Sequence, residues 1–333
     1  MKVLVTGGAG YIGSVCVEEL VGAGHEVEII DNLSEGFREA VVPEANLHVG
    51  CLSDRAWVFD RIQSIQPEAV IHFAALAKVG ESMAQPEKYF ANNVSAGLHL
   101  VDACVASGVK KIVFSSTCAT YGIPKIVPLN EEHPQNPINP YGESKLMFEK
   151  ILKWYQELHG LQYVAFRYFN AAGAGENRGQ SHREMSHLIP NVLQVALGQK
   201  DHCQILGTDY PTPDGTCIRD YIHIKDLATA HIKAIESEAT GCYNLGTGQG
   251  YSVREVIQTC EKIAGKSIKC IEKARRAGDP PKLVADPVKA QTTFNWKAEQ
   301  SALENIIETA WKWHSEHPNG YPSASQAAPT LNT

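Results

Sequence analysis

Tyr141 and Lys145 have the types and the spacing for proton chemistry. In Asn139-Pro140-Tyr141-Gly142-Glu143-Ser144-Lys145, Pro140 sets a helix start, and Tyr141 and Lys145 lie at i and i+4 on one helix face. A tyrosine with an ordinary pKa of ~10 is no base at neutral pH. An ammonium close by favours the phenolate, and the positive ring of an oxidised nicotinamide would add to that. Together they must supply a shift of about 3 units, roughly 4 kcal/mol. Upstream, Val113-Phe114-Ser115-Ser116-Thr117 ends an apolar strand run, and Thr117 can pass a proton between a phenolate and a substrate hydroxyl. Alone, Y-x-x-x-K is a common exposed helix pair. Its context gives it weight.

That context begins at the first residues. Lys2-Val3-Leu4-Val5-Thr6 is a β-branched run, Gly7-Gly8-Ala9-Gly10-Tyr11-Ile12-Gly13 is a turn, helical periodicity follows, and Glu26-Val27-Glu28-Ile29-Ile30-Asp31 is a second strand. Gly7, Gly10 and Gly13 give G-x-x-G-x-x-G, which lets backbone N–H groups and a helix N-terminus approach a pyrophosphate. Asp31 ends the second strand, where an acid hydrogen-bonds adenosine ribose hydroxyls and repels a 2′-phosphate. The expected cofactor is therefore NAD rather than NADP.

Strand candidates alternate with helical segments through the first half: Val3–Thr6, Val27–Ile30, Leu47–Gly50, Ala69–Phe73, Lys111–Ser116 and Tyr163–Tyr168, with helices notably over Pro86–Ala106 and Tyr141–Leu158. This βαβ alternation predicts an α/β fold, a Rossmann-type doubly wound parallel sheet with right-handed crossovers and a ligand site at the carboxyl ends of the strands. Beyond about Asn170 the elements shorten. Cys203–Leu206, Tyr221–Ile224, Cys242–Leu245 and Ile268–Ile271 read as strands, and Lys225–Ser237, Ser252–Ala264 and Ala302–Glu316 as helices. The expected organisation is a cofactor domain over 1–170, with later returns near 219–245. A smaller mixed α/β substrate lobe follows over 171–321, then a flexible tail over 322–333. Tyr221–His223 and Asp226 look like a return to the main sheet.

Bulk numbers exclude several classes. A formal net charge of -7 offers no footprint for nucleic acid or an anionic membrane. No apolar run reaches the ~18 residues of a membrane span, and the glycine fingerprint leaves no room for a signal peptide. The 9 cysteines are scattered, odd in number and form no C-x-x-C pair. They argue against a disulfide framework or a metal site and for a reducing cytoplasm. Asn93-Val94-Ser95 matches a glycosylation sequon by chance, within a predicted helix.

The chain resembles the extended short-chain dehydrogenase/reductases and, within them, the UDP-hexose 4-epimerases. The resemblance runs from Gly7 to about Tyr321. It rests on the glycine turn, Asp31-Asn32-Leu33, His72-Phe73-Ala74-Ala75, Val79-Gly80-Glu81-Ser82, Asn92-Asn93-Val94 and Tyr141-Gly142-Glu143-Ser144-Lys145. Later motifs carry it further: Arg167-Tyr168-Phe169-Asn170, Gly215-Thr216-Cys217-Ile218-Arg219-Asp220-Tyr221-Ile222-His223, Tyr243-Asn244-Leu245-Gly246 and Arg275-Arg276-Ala277-Gly278-Asp279. It implies an isomerase that oxidises the sugar at C4 with tightly bound NAD, lets the 4-keto sugar turn over, and reduces its other face. Tyr141 would take the C4 hydroxyl proton with Thr117 as relay, and Lys145 would also hold the nicotinamide ribose. Further cofactor contacts implied are Gly7, Gly10, Tyr11, Ile12, Gly13, Asp31, Asn32, Leu52, Phe73, Ala74, Asn92, Ser115, Tyr141 and Phe169. For the UDP-hexose, Asn170 would meet the diphosphate or sugar, Arg219 and Arg276 the phosphates, and Asp279 the uridine ribose. His187, Leu188, Leu206 and Leu283 would line the nucleotide and sugar. His72 reads as a structural histidine. A homodimer through a four-helix bundle of the two long helices is implied, with Leu98, Val101, Val105, Met147, Ile151 and Trp154 as apolar faces. Covering the sheet is the other use of those faces.

Three departures from the family pattern stand out. Cys51 follows Gly50 where an acid usually meets the adenine, so that contact is lost or supplied by Ser53 or Asp54. Leu76-Ala77-Lys78 puts a lysine one place late. Leu283, intermediate in size, stands at a wall that is tyrosine in some members, which leaves room for UDP-N-acetylhexosamines. A 4,6-dehydratase needs an acid–base pair directly after Thr117, and Cys118-Ala119 supplies none. UDP-glucuronate or UDP-pentose 4-epimerisation stays open. A non-catalytic NAD-binding regulator is the reading from a different class.

Overall fold

The computed structural model describes residues 1–181, 185–276 and 278–325. The first half runs β1 (Lys2–Thr6), α1 (Tyr11–Gly22), β2 (Glu26–Asp31), β3 (Asn46–Val49), α2 (Arg55–Ile65), β4 (Ala69–His72), α3 (Val79–Ala84), α4 (Pro86–Phe90), α5 (Gly97–Ala106), β5 (Lys111–Thr117), α6 (Pro140–His159) and β6 (Gln162–Tyr168). The second half runs β7 (Asn170–Ala172), α7 (Leu188–Ala196), β8 (Cys203–Leu206), β9 (Ile218–Arg219), β10 (Tyr221–His223), α8 (Ile224–Glu236), β11 (Gly241–Leu245), β12 (Tyr251–Ser252), α9 (Val253–Ala264), β13 (Cys270–Lys273), β14 (Lys282–Leu283), α10 (Val288–Phe294) and α11 (Leu303–Glu316).

The main sheet is seven-stranded and parallel, in the order β11-β6-β5-β4-β1-β2-β3. Strand alternation decides its two faces. Val3 and Val5 join Val17 and Leu20 of α1 and Leu227 and Ala228 of α8 on one side. Leu4 joins Val58 and Ile62 of α2, Leu100 and Val101 of α5 and Phe148 and Leu152 of α6 on the other. The order reverses between β1 and β4, and the crevice at their carboxyl ends is where such sheets bind ligands.

The second half forms its own core, in which Val192 and Leu193 of α7, Val256 and Cys260 of α9 and Ile306 and Ile307 of α11 pack together. Tyr221–His223 does not return to the main sheet. It pairs with β7 in a separate two-stranded sheet, and the returning strand is β11. The buried carboxylate of Asp220 explains the divergence. It accepts from the Thr247 amide (2.9 Å) and hydroxyl (2.7 Å), the Gly248 amide (3.0 Å) and the Ala285 amide (3.1 Å), so the chain next to β10 is tied to the loops after β11 and β14.

Two other expectations change. Pro86–Ala106 is not one regular helix, because residues Ala91–Ala96 form a π-helical turn between α4 and α5. The wide turn turns Asn93 inward, where its Oδ1 accepts from the Leu76 amide (2.9 Å) and its Nδ2 donates to the Leu76 carbonyl (3.0 Å) and Ser144 (3.0 Å). That burial leaves the sequon no access to a glycosylating enzyme. At the C-terminus, Pro322–Ser325 is a short 3-10 helix, and Ser323 donates to Glu39 through its amide and hydroxyl. The rest of the expected tail, 326–333, lies outside the described residues.

Among the described residues no helix is long and apolar enough to cross a membrane, no acid–histidine–cysteine group has the arrangement of a metal site, and the cysteines are free thiols.

Candidate active site

The turn after β1 is built from backbone. Gly7 has a φ of 75°, and a Cβ there would lie 2.6 Å from the Ala74 nitrogen. A Cβ on Gly13 would lie 2.1 Å from the Gly7 carbonyl oxygen, so neither position accepts a side chain. Gly10 precedes α1 without a side-chain cap and lines the crevice, and a Cβ there would sit a tight 3.3 Å from the Gly7 carbonyl oxygen. This is a cradle with helix N–H groups facing it, suited to a pyrophosphate. Asp31 closes β2 beside it, 7% exposed. Burial pushes its carboxyl up, against backbone hydrogen bonds from Leu33 (2.8 Å) and Ala9 (3.0 Å). The turn, the acid and the shape fit an adenine dinucleotide.

A single cavity of about 1780 Å³ runs from this turn into the second half. Gly7, Gly10, Tyr11, Ile12, Gly13, Asp31, Asn32, Leu52, Phe73, Ala74, Asn92, Ser115, Tyr141, Lys145 and Phe169 line it. So do Thr117, Asn170, His187, Leu188, Leu206, Arg219, Arg276, Asp279 and Leu283.

Thr117, Tyr141 and Lys145 line it together. Asn139 caps α6 by accepting from the Gly142 amide (2.8 Å), and Pro140 follows at the first helical position. The Tyr141 phenol is pushed up to about 12 by burial, against a hydrogen bond with Thr117. Lys145 is pushed down to about 7 by burial, against the charge of Glu149. Its Nζ donates to the Ser115 carbonyl (2.7 Å) and sits 4.7 Å from the Phe114 ring centre. His72 shares a 2.6 Å hydrogen bond with Thr6, and burial, helped by the Lys145 charge, takes it down to about 3. It is neutral and structural.

The far end of the cavity is built from side chains. Asp279 accepts from Arg276 (2.9 and 3.1 Å) and pairs with Arg219 at 3.5 Å. Arg219 also donates to the Ile218 (2.8 Å) and Pro280 (3.0 Å) carbonyls, whereas the Arg276 side chain is 61% exposed. His187 shares a 2.7 Å hydrogen bond with Gln180 and is held down by burial. The Asn170 amide donates to the Asp220 carbonyl (2.9 Å), which fixes β7 beside β10.

The departures resolve in part. Neither Ser53 nor Asp54 lines the cavity. Ser53 donates to the Cys51 sulfur (3.0 Å), and Asp54 caps α2 by accepting from the Trp57 amide (3.1 Å). Cys51 itself faces the cavity, with Asn32 Nδ2 3.9 Å from its sulfur. Lys78, the lysine one place late, lines the cavity and pairs with Glu35 (2.9 Å), whereas the lining residues Gln180, Gln204 and Tyr168 were not picked out as site residues in the sequence. Single polar residues, one in a loop and two on strands, carry no spacing signal that would have found them.

A doubly wound sheet, a glycine turn with an acid on the second strand, and a Tyr–Lys pair facing a threonine define an NAD-dependent oxidoreductase-type site of the short-chain class. The family model described as NAD dependent epimerase/dehydratase matches residues 3–246. The chain belongs to that family, and NAD is its cofactor. A UDP-glucose 4-epimerase of Halalkalibacterium halodurans is 48% identical over 98% of this chain and 99% of its own length. The solved UDP-glucose 4-epimerase of Brucella ovis in complex with NAD has a TM-score of 0.91 at 46% identity, over 96% of this chain and 98% of its own. That of Bifidobacterium longum, in complex with NAD+ and UDP, has a TM-score of 0.92 at 39% identity, over 96% and 100%.

Proposed function

We propose that this protein interconverts UDP-galactose and UDP-glucose by inverting sugar C4. One observation carries the reading: Tyr141 and Thr117 line the same single cavity as the glycine cradle and the Arg219–Arg276–Asp279 cluster. Bound NAD supplies reversible oxidation at C4. The chain's residues do the rest. Tyr141, as phenolate, accepts the C4 hydroxyl proton through Thr117 and later returns it, and the Lys145 ammonium stabilises that phenolate. Lys145 also holds the nicotinamide ribose. The two arginines release Asp279 toward the uridine ribose and take the diphosphate by charge-assisted hydrogen bonds. His187, Leu188 and Leu206 flank the nucleotide, and Asn170 meets the diphosphate or sugar. A firmly held nucleotide and a loosely held sugar let the keto intermediate turn without leaving. The test is a coupled assay of UDP-galactose without added NAD, alongside denaturation of the purified protein. Turnover and near-stoichiometric NAD release are expected. Turnover only with added NAD would contradict the reading.

Leu283 supports a broader substrate range. It lies half-buried against the Phe169 cluster and leaves a leucine-sized wall, so UDP-N-acetylgalactosamine should also turn over. No turnover of that sugar would sink this extension.

The same reading includes a homodimer in a reducing cytoplasm. Val101 is buried on the sheet, and Val105 and Ile151 pack against it, so those members of the expected face are occupied. Met147, Trp154 and Leu158 of α6 remain 39%, 60% and 69% exposed and support a helix-bundle contact with a second copy. Trp154→Glu should convert a dimeric elution to monomeric in light scattering, and a wild-type monomer would end this proposal.

A further inference from the structure

Three consecutive residues at the end of β5 are each hydrogen-bonded to α6. The Ser115 carbonyl accepts from Lys145 (2.7 Å), Ser116 Oγ donates to Glu149 Oε1 (2.5 Å), and Thr117 bonds Tyr141. The first and third belong to the site described above. The second lies one helical turn beyond Lys145, on the dry side of the strand. Glu149 and Arg167 are each 4% exposed. Arg167 grips both carboxylate oxygens, through Nε (3.1 Å) and Nη2 (2.8 Å), and Gln135 donates to Oε2 (3.1 Å). Ser116, Arg167 and Asn244 are register partners on β5, β6 and β11. Tyr121 closes the layer, accepting from Arg167 Nη1 (2.9 Å) and donating to Asn244 Oδ1 (2.7 Å).

We propose that Glu149, locked by Arg167 and Ser116, is a positioning residue that holds the end of β5 and Lys145 in register with Tyr141. This rests on the epimerase reading of the site. A buried carboxylate with this many donors has one orientation, so it fixes how far α6 sits from the strand. It also acts through its charge. Lys145 is buried and pushed down to about 7, and the charge of Glu149 is what opposes that loss of the ammonium. Other titratable groups face the pair. They are His72 on β4, Tyr141 on α6, Tyr163, Arg167 and Tyr168 on β6, Cys242 on β11, Tyr121 after β5 and Glu131 in the loop before α6. The tyrosines and Cys242 are pushed up and His72 down by burial, which holds them neutral near pH 7, except that the positive ring of bound NAD would draw Tyr141 back toward the phenolate its role needs. Burial pushes the Glu131 carboxyl up, Arg167 carries the remaining charge, and Arg167 weakens the field of Glu149 without cancelling it.

The test compares Glu149→Gln with wild type. The Lys145 side chain is followed by NMR of 13Cε-lysine protein, assigned by the signal lost in Lys145→Met. The lysine midpoint is expected to fall by about one pH unit in the variant. The basic limb of the kcat–pH profile should move with it, while KM for UDP-galactose stays within about two-fold. A lysine midpoint that does not move overturns the proposal, as does a basic limb that stays put. Absence of turnover in wild type would overturn the epimerase reading instead, and the lysine titration would still be readable. Ser116→Ala, which keeps the ion pair, is expected to lower kcat about five-fold at unchanged KM and lysine midpoint. If Glu149→Gln does not fold, an unchanged kcat in Ser116→Ala overturns the proposal.

Discussion

The two ends of the cavity grip in different ways. At the Gly7 end the ligand-facing groups are backbone, set by two glycines that accept no Cβ and by an acid already fixed by two amides. At the Arg276 end they are side chains paired with each other through Asp279, with Arg276 exposed and Arg219 and Asp279 mostly covered. The first end is rigid before anything binds, whereas the second must exchange partners to bind. That contrast suits a cofactor that stays through every cycle and a substrate that comes and goes. Tyr141 lines the cavity that both ends share.

Removing the Tyr141 hydroxyl should have the largest effect. Tyr141→Phe should lower kcat about 10³-fold, and bound NAD and KM should be little changed, since neither end is touched. Co-purified NAD and steady-state rates check it, and a near-normal rate would return the site to a non-catalytic binder. Gly13→Ala strikes the rigid end. Its Cβ would meet the Gly7 carbonyl at 2.1 Å, and overpacking of about 3 kcal/mol should empty the cofactor site about a hundredfold. Isothermal titration of the NAD-stripped protein reads this, with UDP affinity unchanged. Arg219→Ala strikes the exchangeable end. KM for UDP-galactose should rise about tenfold at constant NAD content, the value of a charged hydrogen bond. A loss of NAD in that variant would erase the distinction between the ends.

The remaining effect is on stability and touches neither end. His72, His223, His231 and His314 are buried neutral, at about 3, 4, 4 and 4, with burial the main cause of each. Folded values lie below the unfolded ~6.5, so stability is complete above that pH and falls as pH drops toward 4, by about 1 kcal/mol per histidine for each pH unit. Thermal melts from pH 7.5 to 5 check the sign, and a flat profile would contradict it.

The same contrast explains what the sequence disclosed. The rigid end is contiguous: strand, glycines and helix fall within Lys2 to Gly22, so periodicity and spacing reveal it. Tyr141 and Lys145 share one helical turn and are legible for the same reason. The exchangeable end joins Arg219 to Asp279 across the chain, and only motif resemblance pointed to it. The π turn at Ala91–Ala96 was illegible because its cause, the bonds of Asn93 to Leu76 and Ser144, is tertiary. β10 joins a different sheet from the one expected because three residues, Tyr221-Ile222-His223, do not say which sheet they join, a choice made by Asp220. Glu149 and Arg167 looked like ordinary charges until burial paired them.

The central claim is that the C4 centre is oxidised and reduced on one retained cofactor. Turnover of UDP-galactose carrying deuterium at C4, with no NAD added, tests it most directly. The account predicts UDP-glucose that retains deuterium at C4. Product in which the label has washed out, or no product until NAD is supplied, would contradict it.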